Sequence, residues 1–424
     1  MRCSCVATPN PVPRTPNPVP PCPEPEPRTH AIMERLVQTF LLILAAVTLL
    51  FHLALCVEFL VANRRVKRFR PGEYQEREVW PSVSLIVAAR NEEGGVEAAV
   101  TSLLALDYPD LEIVVADDRS TDSTGAILDR MAARDPRIEV IHIESIPSGW
   151  LGKCNALQKA ADGASGEILL FTDADVVMHP STLRVTVGHM LDRGLDHLTA
   201  APRIPARSTA LAIFFSAFTF FFSLYSRGWR ASNPKRKEHV GIGAFNMVRA
   251  ETYRAAGGHS RIRMRPDDDM MLGKVLRMKG ARQELVAAQR LLEVEWYSSV
   301  PALVDGLMKN AFSGMNYRLS LVIGATIAQF LLSIWPFLAL VLTSGPVFVF
   351  NLATVVILVS IVGVLAVHGG FSFWHALGFP LATAFFFYII WKATIRTLRD
   401  RGIRWRGTFY PLDELRANRE PFPE

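Results

Sequence analysis

Apolar and polar positions change character several times along the chain. Leu36 to Val61 is an almost unbroken apolar run, followed at once by Arg64, Arg65, Lys67, Arg68 and Arg70. A run of that length can span a bilayer core of about 30 Å. A cleaved signal peptide would have a shorter apolar core and a small-residue cleavage site. The basic cluster puts the chain downstream of it on the cytoplasmic side. From Pro81 to about Glu295, short apolar runs alternate with helical stretches. SVSLIVAA, LEIVVAD, IEVIHIE and EILLFTD read as buried strands, with EEGGVEAAVTSLLAL, DSTGAILDRMAAR and GKCNALQKAADGA as helices between them. This pattern predicts an α/β fold with a largely parallel sheet covered by helices. Ligands bind such sheets beyond the carboxyl ends of the strands, so the loops after SLIVAA, IVVAD and LLFTD are where chemistry is expected.

The second half of the chain is more apolar. Leu211 to Tyr225 reads LAIFFSAFTFFFSLY, with Arg203, Arg207, Arg227, Arg230, Lys235, Arg236 and Lys237 on its shoulders. It is short for a span of roughly 20 residues and suits the membrane surface; a buried core helix is the alternative. Val300 to Met315 places Val300, Leu303, Val304, Leu307, Met308, Ala311, Phe312 and Met315 on one helical face, the spacing of an amphipathic helix. It is expected to lie in the interface with its polar face toward the sheet domain; packing against the domain core is the alternative. Leu321–Leu342, Val347–Val367 and Leu377–Trp391 read as membrane segments. Three crossings from a cytoplasmic start would leave the C-terminus outside, yet Lys392, Arg396, Arg399, Arg401, Arg404 and Arg406 argue for inside. Gly369, Gly370 and Pro380 interrupt this region, so one segment is open to a re-entrant reading.

The expected organisation is a disordered Pro-rich leader over 1–30, a membrane helix over 34–62 and the α/β domain over 80–298, with its interfacial segment at 210–226. An interfacial helix over 299–317, membrane helices over 319–395 and a tail over 396–424 complete the chain. Composition agrees: half of the 424 residues are hydrophobic while a fifth are charged, as in a soluble domain joined to membrane segments. The net charge of +6 fits a positive-inside membrane protein. No zinc-finger, basic-zipper or RNP-like pattern points to nucleic acid. None of the five cysteines forms a disulfide-like or zinc-like pattern in the folded part, which suits a reducing compartment.

Three acidic clusters fall at predicted strand ends or a nearby loop. They are Asp117-Asp118 after LEIVVA, Asp173-Ala174-Asp175 after EILLF, and Asp267-Asp268-Asp269 opening a helix. One such pair is commonplace, because caps and turns also use Asp. Three around one sheet edge would repel strongly without a cation. Mg²⁺ or Mn²⁺ prefers carboxylate oxygens and fills its remaining positions with water and substrate phosphates. Gly152-Lys153 starts a further helix, where a Lys and backbone N–H groups can hold phosphate.

At this point SLIVAARNEE, VVADDRSTDST, GWLGKCNAL, LLFTDADV and DDDMMLG resemble, in order and spacing, the motifs of family 2 glycosyltransferases. The resemblance covers about Ser82 to Gly273 and implies a GT-A fold, a mixed but mostly parallel Rossmann-like sheet. The flanking spans and the closing GIRWRGTFYPL are similar to bacterial membrane enzymes that glycosylate lipids, of the hopanoid- and carotenoid-associated type, and more distantly to ceramide glucosyltransferases. The resemblance implies a nucleotide-sugar donor, a UDP-sugar foremost, a divalent metal, Mg²⁺ or Mn²⁺, and a lipid acceptor. It implies a bacterial-type inner-membrane protein with its catalytic domain in the cytoplasm. Arg90 and Glu92 match the loop around the nucleoside, Asp117 and Asp118 the acidic pair contacting base and ribose, and Lys153 the lysine near the nucleotide. Asp173 and Asp175 match the metal-binding DxD pair. Asp269 stands three residues before Leu272, as the base does in the family's ED-x-x-L motif, with Asp268 in place of the Glu. Gly241, Gly243 and Phe245 match the acceptor-side segment. A Q-x-x-R-W motif carried by many membrane members is missing from LMKNAFSGMNY; Lys309 could serve the leaving diphosphate instead. That departure weighs against the alternative of a processive polysaccharide synthase, and the intact acidic clusters weigh against a non-catalytic membrane scaffold.

Overall fold

The computed structural model describes residues 27–419, so the Pro-rich leader expected over 1–30 lies almost wholly outside the described residues. The first element is α1 (Pro27–Arg65), which leaves Leu36, Phe40, Ile43 and Leu50 exposed along its length. The sheet domain then runs through β1 (Val83–Ala89), α2 (Val96–Leu104), β2 (Leu111–Asp118), α3 (Thr124–Ala132), β3 (Ile138–Ile143), α4 (Gly152–Gly163) and β4 (Ile168–Asp173). These are the strands and helices that the sequence pattern predicts. Next come β5 (Val176–Met178), α5 (Thr182–Asp192), β6 (His197–Ala201), α6 (Thr209–Ser226), β7 (Asn246–Arg249) and α7 (Ala250–Ala256). The domain closes with α8 (Asp268–Met278), β8 (Gln283–Ala287) and β9 (Leu292–Val294).

Seven strands make one sheet in the order β3-β2-β1-β4-β7-β6-β8. The first four are parallel; β7 runs antiparallel to β4 and β6, and β6 is parallel to β8. Side chains alternate along a strand, so β1 feeds two cores: Leu85 and Val87 pack on one face, Ile86 on the other. Burial on both faces is why β1, β2 and β4 read as continuous apolar runs.

After the sheet come α9 (Val300–Ala311), α10 (Leu319–Gln329), α11 (Trp335–Leu342), α12 (Gly345–His368) and α13 (Phe379–Asp400). A π-turn at Phe330–Ile334 joins α10 to α11; Pro336 lacks the N–H that would continue the ladder there. The chain ends in the hairpin β10 (Gly402–Trp405) and β11 (Thr408–Pro411) and in α14 (Leu412–Ala417). Among the described residues, five helical segments are long and apolar enough to cross a membrane: α1, α6 with the turn after it, α10–α11, α12 and α13 with the turn before it.

Two of these do not stand apart from the sheet domain. Arg207 pairs with Glu295 just before α6, while beyond its other end Arg277 donates to the carbonyl of Ala231. α13 lies antiparallel along α6, with Phe379 against Phe220 and Phe386 stacked 4.6 Å from Phe214. Leu303, Val304 and Leu307 of α9 pack on Leu211, Phe214 and Phe215 of α6 and on Ile389 of α13. The expected membrane-facing stripe of α9 is therefore covered by protein: its spacing reports burial and does not say what buries it. The span expected at 377–391 is also longer, because α13 continues to Asp400 and leads directly into the hairpin. At the end of α12, His368 lies 3.2 Å from Arg68, whose neighbour Phe69 is bonded to Ala287 at the edge of the sheet.

Candidate functional site

Strand register brings the first two acidic clusters together. Ala89 of β1 pairs with Asp117 of β2, and Ala88 pairs with Asp173 of β4. Both carboxylates therefore stand at the carboxyl edge, one on each side of the end of β1. The two loops leaving this edge are laced by hydroxyl and amide groups. The N–H of Asn91 donates to Ser120 Oγ at 3.0 Å, that of Glu92 to Thr124 Oγ1 at 2.8 Å, and that of Thr121 to Asn91 Oδ1 at 2.8 Å. The Ser and Thr residues of DRSTDST thus hold the Arg90–Glu92 loop, a role with a direct physical reason in their local hydrogen bonding.

Asp117 and Asp118 have different partners. Asp117 accepts from the Ser120 N–H at 3.3 Å and faces His142 Nδ1 at 3.1 Å, so it holds the loop from behind. Asp118 takes Arg119 through two bonds of 2.8 and 3.0 Å and lies 3.8 Å from Arg90.

Lys153, in the first turn of α4, ties the other two clusters together. Its Nζ is 2.9 Å from Asp173 Oδ1 and 3.4 Å from Asp268 Oδ2. Burial alone would lower its pKa, but the charges of Asp173, Asp268 and Asp269 hold it well above the ordinary lysine value. Burial works in the opposite direction on Asp173, and Lys153 overcomes it, keeping that carboxyl below its usual range. Asp268 is raised by burial, with partial relief from Lys153.

The third cluster divides its labour. Asp267 stands at the N-cap position of α8, but its carboxylate turns away from the helix and is taken by Arg265 at 2.7 and 2.9 Å and by Ser313 Oγ at 3.1 Å. Asp268 turns to Lys153. Asp269 accepts from the Gly243 N–H at 2.8 Å, and burial with the charge of Asp268 pushes it up to about 7. Gly241 and Gly243 permit this approach. A Cβ on Gly241 would collide with the Asp269 backbone, and one on Gly243 would sit 2.7 Å from Asp173 Oδ2 and 3.5 Å from Asp269 Oδ2. Phe245 does not line the cleft. It is fully buried in the sheet core, so it anchors the segment that the glycines shape.

Asp175 lies in the turn between β4 and β5, opens toward solvent and holds no ion pair among the described residues. The surrounding protein mass and the charge of Asp173 still push it up to about 6. No group of three His, Cys, Asp or Glu side chains converges among the described residues to form a ready-made metal cage. Two carboxylates one residue apart, one unpaired, fit a hard divalent cation that takes its other ligands from water and a diphosphate.

Lys309 is brought to the same cleft. Burial lowers its pKa, as does the charge of Lys153, while Asp268 and Asp173 act against both. Its Nζ lies 4.3 Å from the ring centre of Trp405. Sequence reasoning missed Arg265 and Ser313, and it missed that Trp405 and Arg406 reach the site. It also missed Tyr297, whose hydroxyl is raised by burial and by the charges of Asp173 and Asp175. Of these residues, only Trp405 and Arg406 lie in a motif that the sequence singled out, GIRWRGTFYPL.

Comparison with known proteins gives a family match and a shared fold. Residues 84–255 match the family described as glycosyl transferase family 2. The chain is 38% identical over 110 residues to a beta-monoglucosyldiacylglycerol synthase of Synechocystis, covering 26% of this chain and 22% of that protein. It is 35% identical over 95 residues to a GalNAc(5)-diNAcBac-PP-undecaprenol beta-1,3-glucosyltransferase of Campylobacter jejuni, covering 22% of this chain and 30% of that one. The aligned stretches thus span less than a third of either relative. A mannosyltransferase from Pyrobaculum calidifontis, solved with GDP-mannose and Mn²⁺, superposes with a TM-score of 0.55 at 19% identity, over 85% of this chain and 99% of that one. The shared architecture is the GT-A fold.

Proposed function

The chain carries a family 2 glycosyltransferase domain, and on that premise we propose that it moves a sugar, with inversion, from a nucleotide-diphosphate donor to a lipid acceptor at the cytoplasmic face of a bacterial-type inner membrane. The observation that carries this reading is the single contact network of Lys153, Asp173 and Asp268. It unites a phosphate-binding cation, the DxD strand end and the helix of the proposed base in one cleft.

The nucleoside is assigned to the Arg90–Glu92 loop and Asp118, with Asp117 bracing the loop from beneath. A UDP-sugar is the expected donor. Lys153 holds positive charge against the diphosphate, where charge builds as the bond to the sugar breaks. Asp173 and Asp175 would hold a divalent cation, which would supply further neutralisation of that charge. Asp269, held by the Gly243 N–H, accepts the acceptor hydroxyl proton as that oxygen attacks the anomeric carbon. One displacement inverts the stereochemistry, and no second nucleophilic carboxylate is required.

The lipid acceptor is supported by the packing of α6, α9 and α13 beside the domain, and by the lipid product named for one relative and the lipid-linked acceptor named for the other. In this reading α1, α10–α11 and α12 cross the bilayer, while α6 and α13 lie along its cytoplasmic surface. The test incubates membranes containing the protein with a panel of labelled nucleotide sugars and Mn²⁺ or Mg²⁺. Labelled sugar is expected in the lipid extract, absent without metal. Label confined to water-soluble products would overturn the lipid acceptor.

A further inference from the structure

The C-terminal hairpin is docked on the nucleoside side of the cleft, although Arg406 and Arg90 are 316 residues apart in sequence. Arg406 Nη1 donates to the carbonyl of Arg90 at 2.7 Å, and Nη2 donates to Glu92 Oε1 at 2.9 Å. One guanidinium thus takes both ends of the Arg90–Glu92 loop. Beside it, Trp405 lies under the Lys309 ammonium at 4.3 Å, a cation–π arrangement that orients a charge otherwise free to swing. Further along the hairpin, Tyr410 Oη accepts from the Gly152 N–H at 3.3 Å, one residue before Lys153.

The turn that presents Arg406 is unusual for its sequence. Trp405 pairs with Thr408, leaving Arg406 and Gly407 as a two-residue loop with φ of +46° and +80°. Positive φ at both positions is the type I′ pattern, which strongly favours Asn or Asp followed by Gly. An arginine in the left-handed region is uncommon, and outliers of this kind collect at functional sites. Hairpin stability alone would have selected Asn here.

We propose that this hairpin is part of the donor site. Arg406 is a positioning residue that fixes the Arg90–Glu92 loop around a bound nucleoside diphosphate, and Trp405 holds Lys309 toward its phosphates. The proposal rests on the donor reading above. It also accounts for the missing aromatic–cationic motif on α9: the aromatic ring and the extra arginine come from the far end of the chain. A cavity of about 440 Å³ between α9 and the hairpin has Lys309, Trp405, Arg406 and Arg396 on its walls, leaving room for this end of the site to adjust.

The decisive variant is Arg406→Asn in the full-length protein. Asparagine suits the left-handed position, so the melting temperature should equal or exceed that of wild type. UDP and GDP, each with Mn²⁺, are titrated calorimetrically into both proteins. The nucleotide that wild type prefers should bind Arg406→Asn at least about tenfold more weakly, the loss expected for one charge-assisted contact set. With the matching nucleotide sugar, KM should rise to the same degree while kcat at saturation stays within about threefold. Trp405→Leu, which keeps an apolar side chain but removes the ring, should weaken binding by a smaller factor. Wild-type affinity in Arg406→Asn would overturn the proposal and leave the transferase reading intact. No binding of either nucleotide to the wild-type protein would overturn both.

Discussion

The N–H of Gly243 points at Asp269 Oδ2 across 2.8 Å, and the same glycine lies against the carboxylate of Asp173. One backbone position without a side chain therefore separates the proposed base from the proposed metal ligand. Gly243→Ala would place a methyl group 2.7 Å from Asp173 Oδ2, so that carboxylate must shift from its present position. Transfer should fall by at least about 100-fold, the scale of a small misplacement of reacting groups. Folding, followed by the melting temperature, should change little, because the carboxylates can move toward the open cleft. Full activity in Gly243→Ala would show that this separation is not needed.

Asp268 and Asp269 are adjacent, yet their partners predict opposite defects. Asp268 is buried with Lys153 at 3.4 Å, whereas Asp269 has the Gly243 N–H. Asp269→Asn should keep donor and metal binding and lose roughly 10²–10⁴-fold in transfer, as for a lost general base. Asp268→Asn should weaken donor binding by loosening Lys153. Steady-state kinetics and calorimetry separate the two. A transferring Asp269→Asn beside a dead Asp268→Asn would exchange the roles.

These partners also show where sequence reading stops. β1, β2 and β4 with their acidic ends were legible because strands buried on both faces are apolar until they stop at polar residues, and the edge strand β3 because it alternates. The short β6, β7 and β8 were not, since His197, Asn246 and Gln283 put buried polar groups into them. The bond from Ser313 to Asp267 spans 46 residues, which no local pattern encodes. Arg406 is more remote still: its partners Arg90 and Glu92 lie across the whole domain and the apolar helices. The amphipathic period of α9 correctly announced a buried stripe, but helix spacing is the same whether lipid or Phe214 covers it.

Burial and the charge of Asp268 raise Asp269 to about 7, which fixes the sign of a pH effect. A raised carboxyl is protonated below that value and cannot accept a proton. The rate at saturating donor should therefore climb as pH rises through about 7 and level off above it. Residual transfer by Asp269→Asn should be flat over the same range. A wild-type rate that fell on this interval would remove Asp269 as the base.

Asp175 has no ion pair among the described residues and sits beside Asp173 in the turn after β4. Its charged form becomes favourable when a cation joins it, so Asp175→Ala should abolish the metal-dependent part of donor binding. Lys153 and the Arg90–Glu92 loop should still give weak binding without metal. Calorimetry with the donor, with and without Mn²⁺, reads the difference. An unchanged Mn²⁺ effect would take Asp175 out of the metal site.

Topology supplies the last prediction. The tail was hard to place from sequence because three apolar segments after the sheet domain imply an external C-terminus, whereas its arginines imply an internal one. Contacts in the fold favour the arginines. Arg406 bonds to Arg90 and Glu92, and Arg416 reaches the carbonyl of Tyr317, so the tail shares the compartment of the sheet domain. His368, at the end of α12, meets Arg68 at the domain's edge. An even number of crossings must then lie between Tyr317 and Arg401. α10–α11 leading out and α12 leading back satisfy this, with α13 lying along α6 on the inner surface. Single cysteines at Ser344, Ser372 and Asn418, in a background lacking native cysteines, test it by labelling with a membrane-impermeant maleimide. Ser344→Cys should react in intact cells, and the other two only after permeabilisation. Labelling of Asn418→Cys in intact cells would require an odd count and would contradict the docking of the tail on the nucleoside loop. Labelling of Ser372→Cys alone would instead exchange the roles given to α10–α11 and α13, with α12 leading out and α13 leading back.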